Sequence, residues 1–82
     1  MFFEKNESLT PETLDHMRAS KSLREELEAI DYYQERIDAT KDEELKKILI
    51  HNRDEEKEHA AMLMNWIRKH DPVFDTEFSK LS

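Results

Sequence analysis

The chain has 82 residues, of which 40% are charged and 37% hydrophobic, with no glycine, two prolines and no cysteine. A chain this short forms one small domain at most and buries little apolar surface on its own, so self-association is expected. Its net charge of −7 argues against nucleic acid or an anionic membrane as a partner, because both repel acidic surfaces. We find no signal h-region, no apolar run of membrane-spanning length and no cysteine for a thiolate metal site, and we predict a soluble, cytoplasmic protein.

The apolar periodicity predicts a single all-α domain over residues 1–82, an antiparallel two-helix hairpin followed by a short helix. Residues 1–9 lack periodicity and are predicted to form a flexible arm. The first helix is predicted over residues 10–39. It starts at Thr10-Pro11, which supply a capping hydroxyl and a proline at the first helical position.

The second helix is predicted over residues 43–70. Thr40 and Glu43 have the spacing of a capping box, and the short turn between the two helices makes them antiparallel. Pro72 ends the second helix, because the residue before a proline disfavours the α conformation. The apolar residues of the tail predict a possible short helix over residues 72–81.

The apolar face of the second helix continues through the charged stretch HNRDEEKEHA. A heptad-spaced seam contains Leu45, Leu49, Asn52, Glu56, His59, Leu63 and Trp66. Its two ends are apolar and its middle is polar, so this pattern places a Glu-x-x-His pair on the inward face. In the first helix the corresponding seam contains Leu23, Glu26, Ile30, Tyr33 and Ile37.

The position of the turn predicts which polar residues face each other. Glu26 lies fourteen residues before Thr40 and Glu56 lies fourteen residues after Asp42, so each is about 21 Å from the turn at helical rise. A Glu opposite a Glu-x-x-His pair is half of the ligand set of carboxylate-bridged di-iron bundles. A second copy, packed about a two-fold axis into a four-helix bundle, would supply the other half.

Charge balance favours two divalent cations in such a dimer, because they match its four buried carboxylates while the imidazoles stay neutral. Carboxylates with one His per metal and no sulfur favour Fe or Mn, although Zn can occupy such sites. The alternative is a charged helical hairpin that oligomerises without redox chemistry and holds a structural or adventitious metal. Glu-x-x-His spacing arises often by chance in a Glu-rich helix, so a solvated charged face without a metal site is the alternative interpretation at this point.

Two segments, LREELEAIDYYQERIDA (residues 23–39) and ILIHNRDEEKEHAAMLMNWIR (residues 48–68), resemble the encapsulated ferritins. These are short ferritin-like proteins housed in encapsulin nanocompartments. The resemblance implies a ferroxidase that oxidises Fe(II) to Fe(III) with dioxygen for iron storage and detoxification. It also implies a ferroxidase centre at a dimer interface, dimers arranged in a ring, typically a decamer, and an encapsulin shell protein as partner.

By position, the resemblance makes Glu26, Glu56 and His59 of both chains the ligands of a di-iron centre that holds two iron ions per dimer. It places Tyr33 close to the metals as part of the catalytic site. Two further acids, Glu25 and Glu28, match an outer cation site on the entry route.

The chain departs from the family pattern at two points. Tyr32 stands where a Trp is expected in this family, which bears on the outer cation site. The printed sequence ends at Ser82 without the shell-docking peptide that family members usually carry. There are three alternative explanations: the peptide belongs to a longer chain, it is fused to the shell protein, or the protein works without a shell.

Overall fold

The structure is a computed structural model that describes residues 6–82. They form a 3-10 helix at Asn6–Ser8 and three α-helices, α1 at Pro11–Ala39, α2 at Glu43–His70 and α3 at Pro72–Lys80. The described part of the chain contains no β-strand, which confirms the predicted all-α fold. Most of the predicted arm, its first five residues, lies outside the described residues.

Side-chain caps fix where the helices of the hairpin begin. At the start of α1, Thr10 Oγ1 accepts a hydrogen bond from the backbone N–H of Thr13 at 3.1 Å, and Pro11 follows as the first helical residue. The capping box predicted at Thr40 is wrong. Asp42 caps α2 instead, accepting from the backbone N–H of Leu45 at 3.0 Å. The Thr40 hydroxyl is already used by the connection, because it accepts from the backbone N–H of Asp42 at 3.2 Å.

The short helix α3 is attached to the end of α2 by polar and aromatic contacts. Asp71 ends α2 and also caps α3, accepting from the backbone N–H of Phe74 at 3.0 Å. Two guanidinium nitrogens of Arg68 lie 2.9 Å from Oδ1 of Asp75, and the same guanidinium lies 4.9 Å from the ring centre of Phe78. Together these contacts hold α3 against α2.

The hairpin is a single layer of helices with a thin core. The molecule measures 50 × 35 × 14 Å, and its shortest dimension is close to the thickness of one helix, about 10–12 Å. Among the described residues only Ile37, Ala60 and Ile67 are buried, and no large side chain is fully buried. Large apolar side chains remain exposed at Leu27, Tyr32, Leu45, Ile48, Met62, Val73, Phe74 and Leu81. The two faces of the α1/α2 layer therefore lack the second layer that a helical domain normally has.

Within residues 6–82 no helix has the length and the apolar composition needed to cross a membrane.

Candidate metal centre

Three potential metal ligands meet halfway along the hairpin. Glu26 lies in the middle of α1, and Glu56 and His59 lie one turn apart in the middle of α2. One ligand atom from each side chain lies within 4.8 Å of the other two. In the described part of the chain this is the one group of three or more His, Cys, Asp or Glu side chains with such a geometry. Counting residues from the turn thus places the correct pair of carboxylates opposite each other.

The three side chains are close, but the His59 imidazole does not hydrogen-bond to either carboxylate. His59 Nδ1 lies 3.6 Å from Glu26 Oε2 and 3.7 Å from Glu56 Oε2, which is longer than a hydrogen bond. Glu26 Oε2 is buried and has no hydrogen-bond partner. A buried carboxylate oxygen without a donor is destabilising. A cation between the three groups would satisfy that oxygen, so the residues present fit a divalent metal ion.

The electrostatics of the site also favour the binding of a cation. The pKa of Glu56 is raised above its ordinary value of 4.5 by a hydrogen bond that its carboxyl shares with Glu26, by burial and by the negative charge of Glu26, while His59 opposes the rise. The first cause requires a proton between the two carboxyl groups, because two carboxylates are both acceptors. When that proton is present it reduces the repulsion between the two carboxyl groups, and a cation would remove this repulsion more completely.

One side of the site is open. The side chain of His59 is 48% exposed, whereas those of Glu26 and Glu56 are 25% and 23% exposed. Ile48 and Met62, which lie on the same face of α2 as His59 by helical spacing, are 51% and 63% exposed. The face of α2 on which the site is open thus carries exposed apolar residues.

The remaining residues singled out from the sequence do not join this group. Tyr33 is partly buried on α1, and the guanidinium of Arg36 lies 5.7 Å from its ring centre. Glu25 and Glu28 are exposed. The Tyr32 hydroxyl donates a hydrogen bond to Glu28 Oε1 at 2.7 Å, and this bond, together with the charge of Glu28, raises the pKa of Tyr32.

Sequence reasoning missed a polar contact between the two long helices. Arg53 on α2 donates from Nη1 to Gln34 Oε1 on α1 at 2.9 Å. The two residues are at different distances from the turn, so counting residues does not pair them. The reach of the arginine side chain bridges the difference, and no sequence pattern signals it.

Comparison with known proteins identifies the family. The family model described as EncFtn-like matches residues 1–81. The chain is 57% identical over 65 residues to the encapsulated ferritin-like protein of Rhodospirillum rubrum, covering 79% of the chain and 46% of that protein. It is 50% identical over 74 residues to the ferritin-like protein of Thermotoga maritima, covering 90% of the chain and 65% of that protein.

A more distant relative is the encapsulin nanocompartment cargo protein EncC of Myxococcus xanthus, 42% identical over 69 residues, with 79% of the chain and 53% of that protein covered. The chain thus spans 46% to 65% of the length of these curated relatives.

Among solved structures, protein ne0167 from Nitrosomonas europaea is similar with a TM-score of 0.90 and 61% identity, covering 96% of this chain and 87% of that one. From the match along nearly its whole length, the chain belongs to the EncFtn-like family, the encapsulated ferritins.

Proposed function

We propose that the protein is a ferroxidase that oxidises Fe(II) to Fe(III) with dioxygen at a di-iron centre formed between two copies of the chain. The observation that carries this proposal is the meeting of Glu26, Glu56 and His59 around a buried carboxylate oxygen that has no hydrogen-bond donor. Carboxylate and imidazole ligands without sulfur suit Fe(II). Membership of a ferritin family supports iron as the substrate among the metals that this ligand set accepts.

The need for a second copy follows from the number of ligands. One chain offers two carboxylates and one imidazole, which is half of the set in di-iron carboxylate bundles. The face of α2 that carries half-exposed His59 also carries the exposed apolar residues Ile48 and Met62. A two-fold related copy placed there would cover these apolar residues and bring the second set of three ligands to the first. The four carboxylates of the dimer then balance the charge of two Fe(II) ions.

The reaction needs little from the protein beyond binding and charge. Each Fe(II) ion loses one electron, and one dioxygen molecule accepts the two electrons of the pair together with two protons. The carboxylates of Glu26 and Glu56 stabilise the ferric product more than the ferrous substrate, because it carries the higher charge. Tyr33, two turns after Glu26, is assigned to the edge of the catalytic site.

Charge along the chain supports the approach of cations. Residues 25–64 contain thirteen acidic and six basic residues, which accounts for the whole net charge of −7. A field of this sign raises the local concentration of Fe(II) around the site. Exposed Glu25 and Glu28 are proposed as the outer entry site, where Tyr32 now holds Glu28 by a hydrogen bond.

Assembly and location are proposed from the relatives. Dimers are expected to form a ring, and the family resemblance implies that this ring is a decamer. The names of the Rhodospirillum rubrum and Myxococcus xanthus relatives describe encapsulated or encapsulin cargo proteins. They support an encapsulin shell protein as partner and a place in the cytoplasm inside a nanocompartment.

Aerobic addition of Fe(II) tests the activity. The wild-type chain should consume dioxygen and develop ferric absorbance well above the rate of iron in buffer. Glu56→Ala and His59→Ala should lose this acceleration with unchanged helical circular dichroism. Glu58→Ala is the matched control, because it removes an exposed carboxylate from the same helix. Equal rates for the wild type and the Glu56 and His59 variants would instead favour the non-catalytic oligomerisation module.

Sedimentation with and without Fe(II) under anaerobic conditions tests the shared site. Fe(II) should shift the chain toward dimers and larger rings, and His59→Ala should weaken the shift. A chain that stays monomeric with Fe(II) bound would contradict a centre built from two copies.

A further inference from the structure

The contact between Arg53 and Gln34 belongs to a longer polar network. Gln34 accepts from Arg53 through Oε1 and donates through Nε2 to Asp38 Oδ1 at 3.0 Å. Arg53 also donates from Nε and Nη2 to Asp54 Oδ1 at 3.1 and 3.0 Å. The Arg53 side chain is 20% exposed. Its guanidinium is thus held by its own helix on one side and by α1 on the other.

This network connects the two long helices of the hairpin through polar side chains. Within residues 6–82, apart from the carboxyl pair of Glu26 and Glu56, the bond from Arg53 to Gln34 is the one hydrogen bond between side chains of α1 and α2. Arg53 lies three residues before Glu56, which is about 4.5 Å along the axis, and Gln34 lies eight residues after Glu26, about 12 Å. The bond therefore connects the two helices close to the candidate metal centre.

The metal centre needs such a connection because its own residues do not align the helices. Glu26 and Glu56 repel each other when both are ionised, and the buried neighbour on α2 is only the small Ala60. Sliding one helix by a single residue moves its side chains by about 1.5 Å along the axis. Binding sites tolerate only about 0.5 Å of misplacement.

We propose that Arg53 is a positioning residue for the metal centre, fixing the axial register of α1 against α2 through Gln34. Arg53 and His59 are six residues apart, about 240° around the helix, so Arg53 points away from the open side of the site. It acts on the ligands only through the alignment of the two helices. The expected effect of Arg53 on metal binding rests on the proposed function, whereas its expected effect on the alignment of α1 and α2 does not.

The variants distinguish the loss of the bond between Arg53 and Gln34 from a general loss of stability. Arg53→Gln and Gln34→Ala each remove the bond, whereas Gln34→Glu keeps an acceptor and makes it charged. The matched control is Arg18→Gln, because within residues 6–82 Arg18 makes an exposed ion pair with Asp15 on its own helix and no bond to α2. Helical circular dichroism and thermal melting of every variant report any general loss of structure.

The first measurement is titration with Co(II) alone, followed by its visible absorption bands. Arg53→Gln and Gln34→Ala should weaken Co(II) binding by roughly tenfold or more, the range found for residues that orient metal ligands. Gln34→Glu and Arg18→Gln should bind within about twofold of the wild type. Wild-type affinity in Arg53→Gln, or equal loss in Gln34→Glu and Gln34→Ala, would overturn the proposal.

The second measurement uses the metal-free chain. Since His59 Nδ1 lies 3.6 Å from Glu26 Oε2, an NMR nuclear Overhauser effect is expected between the His59 ring protons and the Glu26 γ-methylene protons. It should be present in the wild type, Gln34→Glu and Arg18→Gln, and lost in Arg53→Gln. If the wild type bound no Co(II), the proposed function would fail, and the metal-free spectra would still decide the role of Arg53. An unchanged nuclear Overhauser effect in Arg53→Gln would refute the proposed role of Arg53.

Discussion

Replacing Glu56 with Gln should change the stability of the protein in opposite directions with and without metal. The substitution keeps the size of the side chain and removes its charge. The pKa of Glu56 is raised by its hydrogen bond with Glu26, by burial and by the negative charge of Glu26. Without metal, the substitution removes the last of these, the repulsion between the two carboxylates. With metal, it removes one of the two carboxylates that one chain offers. The metal-free variant should therefore be more stable than the wild type, and the variant with metal less stable.

The size of the metal-free effect follows from the geometry. Two charges 4.8 Å apart, the upper limit among the ligand atoms, repel by about 0.9 kcal/mol in water and about 3.5 kcal/mol at an effective dielectric constant of 20. The two side chains are about one quarter exposed, so solvent screens part of the repulsion. We expect about 1 kcal/mol at neutral pH, or a rise in Tm of about 4–8 °C for a domain of this size.

The metal effect is larger. At a free concentration of 100 times Kd, a ligand stabilises the folded state by about 2.7 kcal/mol, which corresponds to a rise in Tm of roughly 10–20 °C. Glu56→Gln should lose more than half of this rise. Melting curves followed by circular dichroism, in EDTA and in excess Co(II) at one protein concentration, measure both effects.

Glu58→Gln is the control, because it makes the same charge change at an exposed position of the same helix. It should alter neither melting temperature by more than about 2 °C, as is usual for surface substitutions. A metal-free Glu56→Gln that melts below both the wild type and the control would refute the repulsion argument. If Co(II) raised the Tm of Glu56→Gln as much as that of the wild type, the assignment of Glu56 as a ligand would be refuted.

Two further predictions concern pH and the thin core. Because the pKa of Glu56 is raised in the folded chain above its ordinary 4.5, the stability that its proton supplies is fully present below about pH 4.5 and is lost as the pH rises through the folded pKa. The gap in Tm between metal-free Glu56→Gln and wild type should therefore widen from pH 4.5 to pH 7, and a constant gap would contradict it. Ile67→Ala, at one of the three positions that are buried among residues 6–82, should lower the free energy of unfolding by about 2–4 kcal/mol, measured by urea titration at any protein concentration. Ile48→Ala, at a half-exposed position, should lower it only at concentrations where dimers form, and a loss equal to that of Ile67→Ala in dilute solution would count against an interface there.

Much of the fold was predictable from the sequence because its signals are local. The helix start at Thr10-Pro11 depends on a hydroxyl and a ring whose preferences hold in any context, and the structure has the expected cap. The start of α2 was harder, because Thr40 and Asp42 both offer a capping oxygen. The structure uses Asp42 for the helix and Thr40 for the turn before it, a choice that depends on the path of the connection.

The meeting of Glu26 with Glu56 and His59 was predictable for a geometric reason. In a hairpin of two straight helices, residues equally far from the turn lie level, so counting along the chain gives the pairing. The exposure of His59 was not predictable from the heptad seam, which places it inward. A seam specifies which residues share a face but not how many helices cover that face. In the structure one helix covers the Glu56 side and leaves the His59 side open.

That difference between Glu56 and His59 has a consequence under the proposed function. If the chain alone buried all three ligands, metal binding would be complete within one hairpin and independent of assembly. Here one chain supplies half of the ligands, and the helix face on which the site remains open also carries Ile48 and Met62. Burial of these apolar side chains and coordination of the ions by both chains would therefore occur in one step. By linkage, metal must then strengthen the dimer by the same factor by which dimerisation strengthens metal binding.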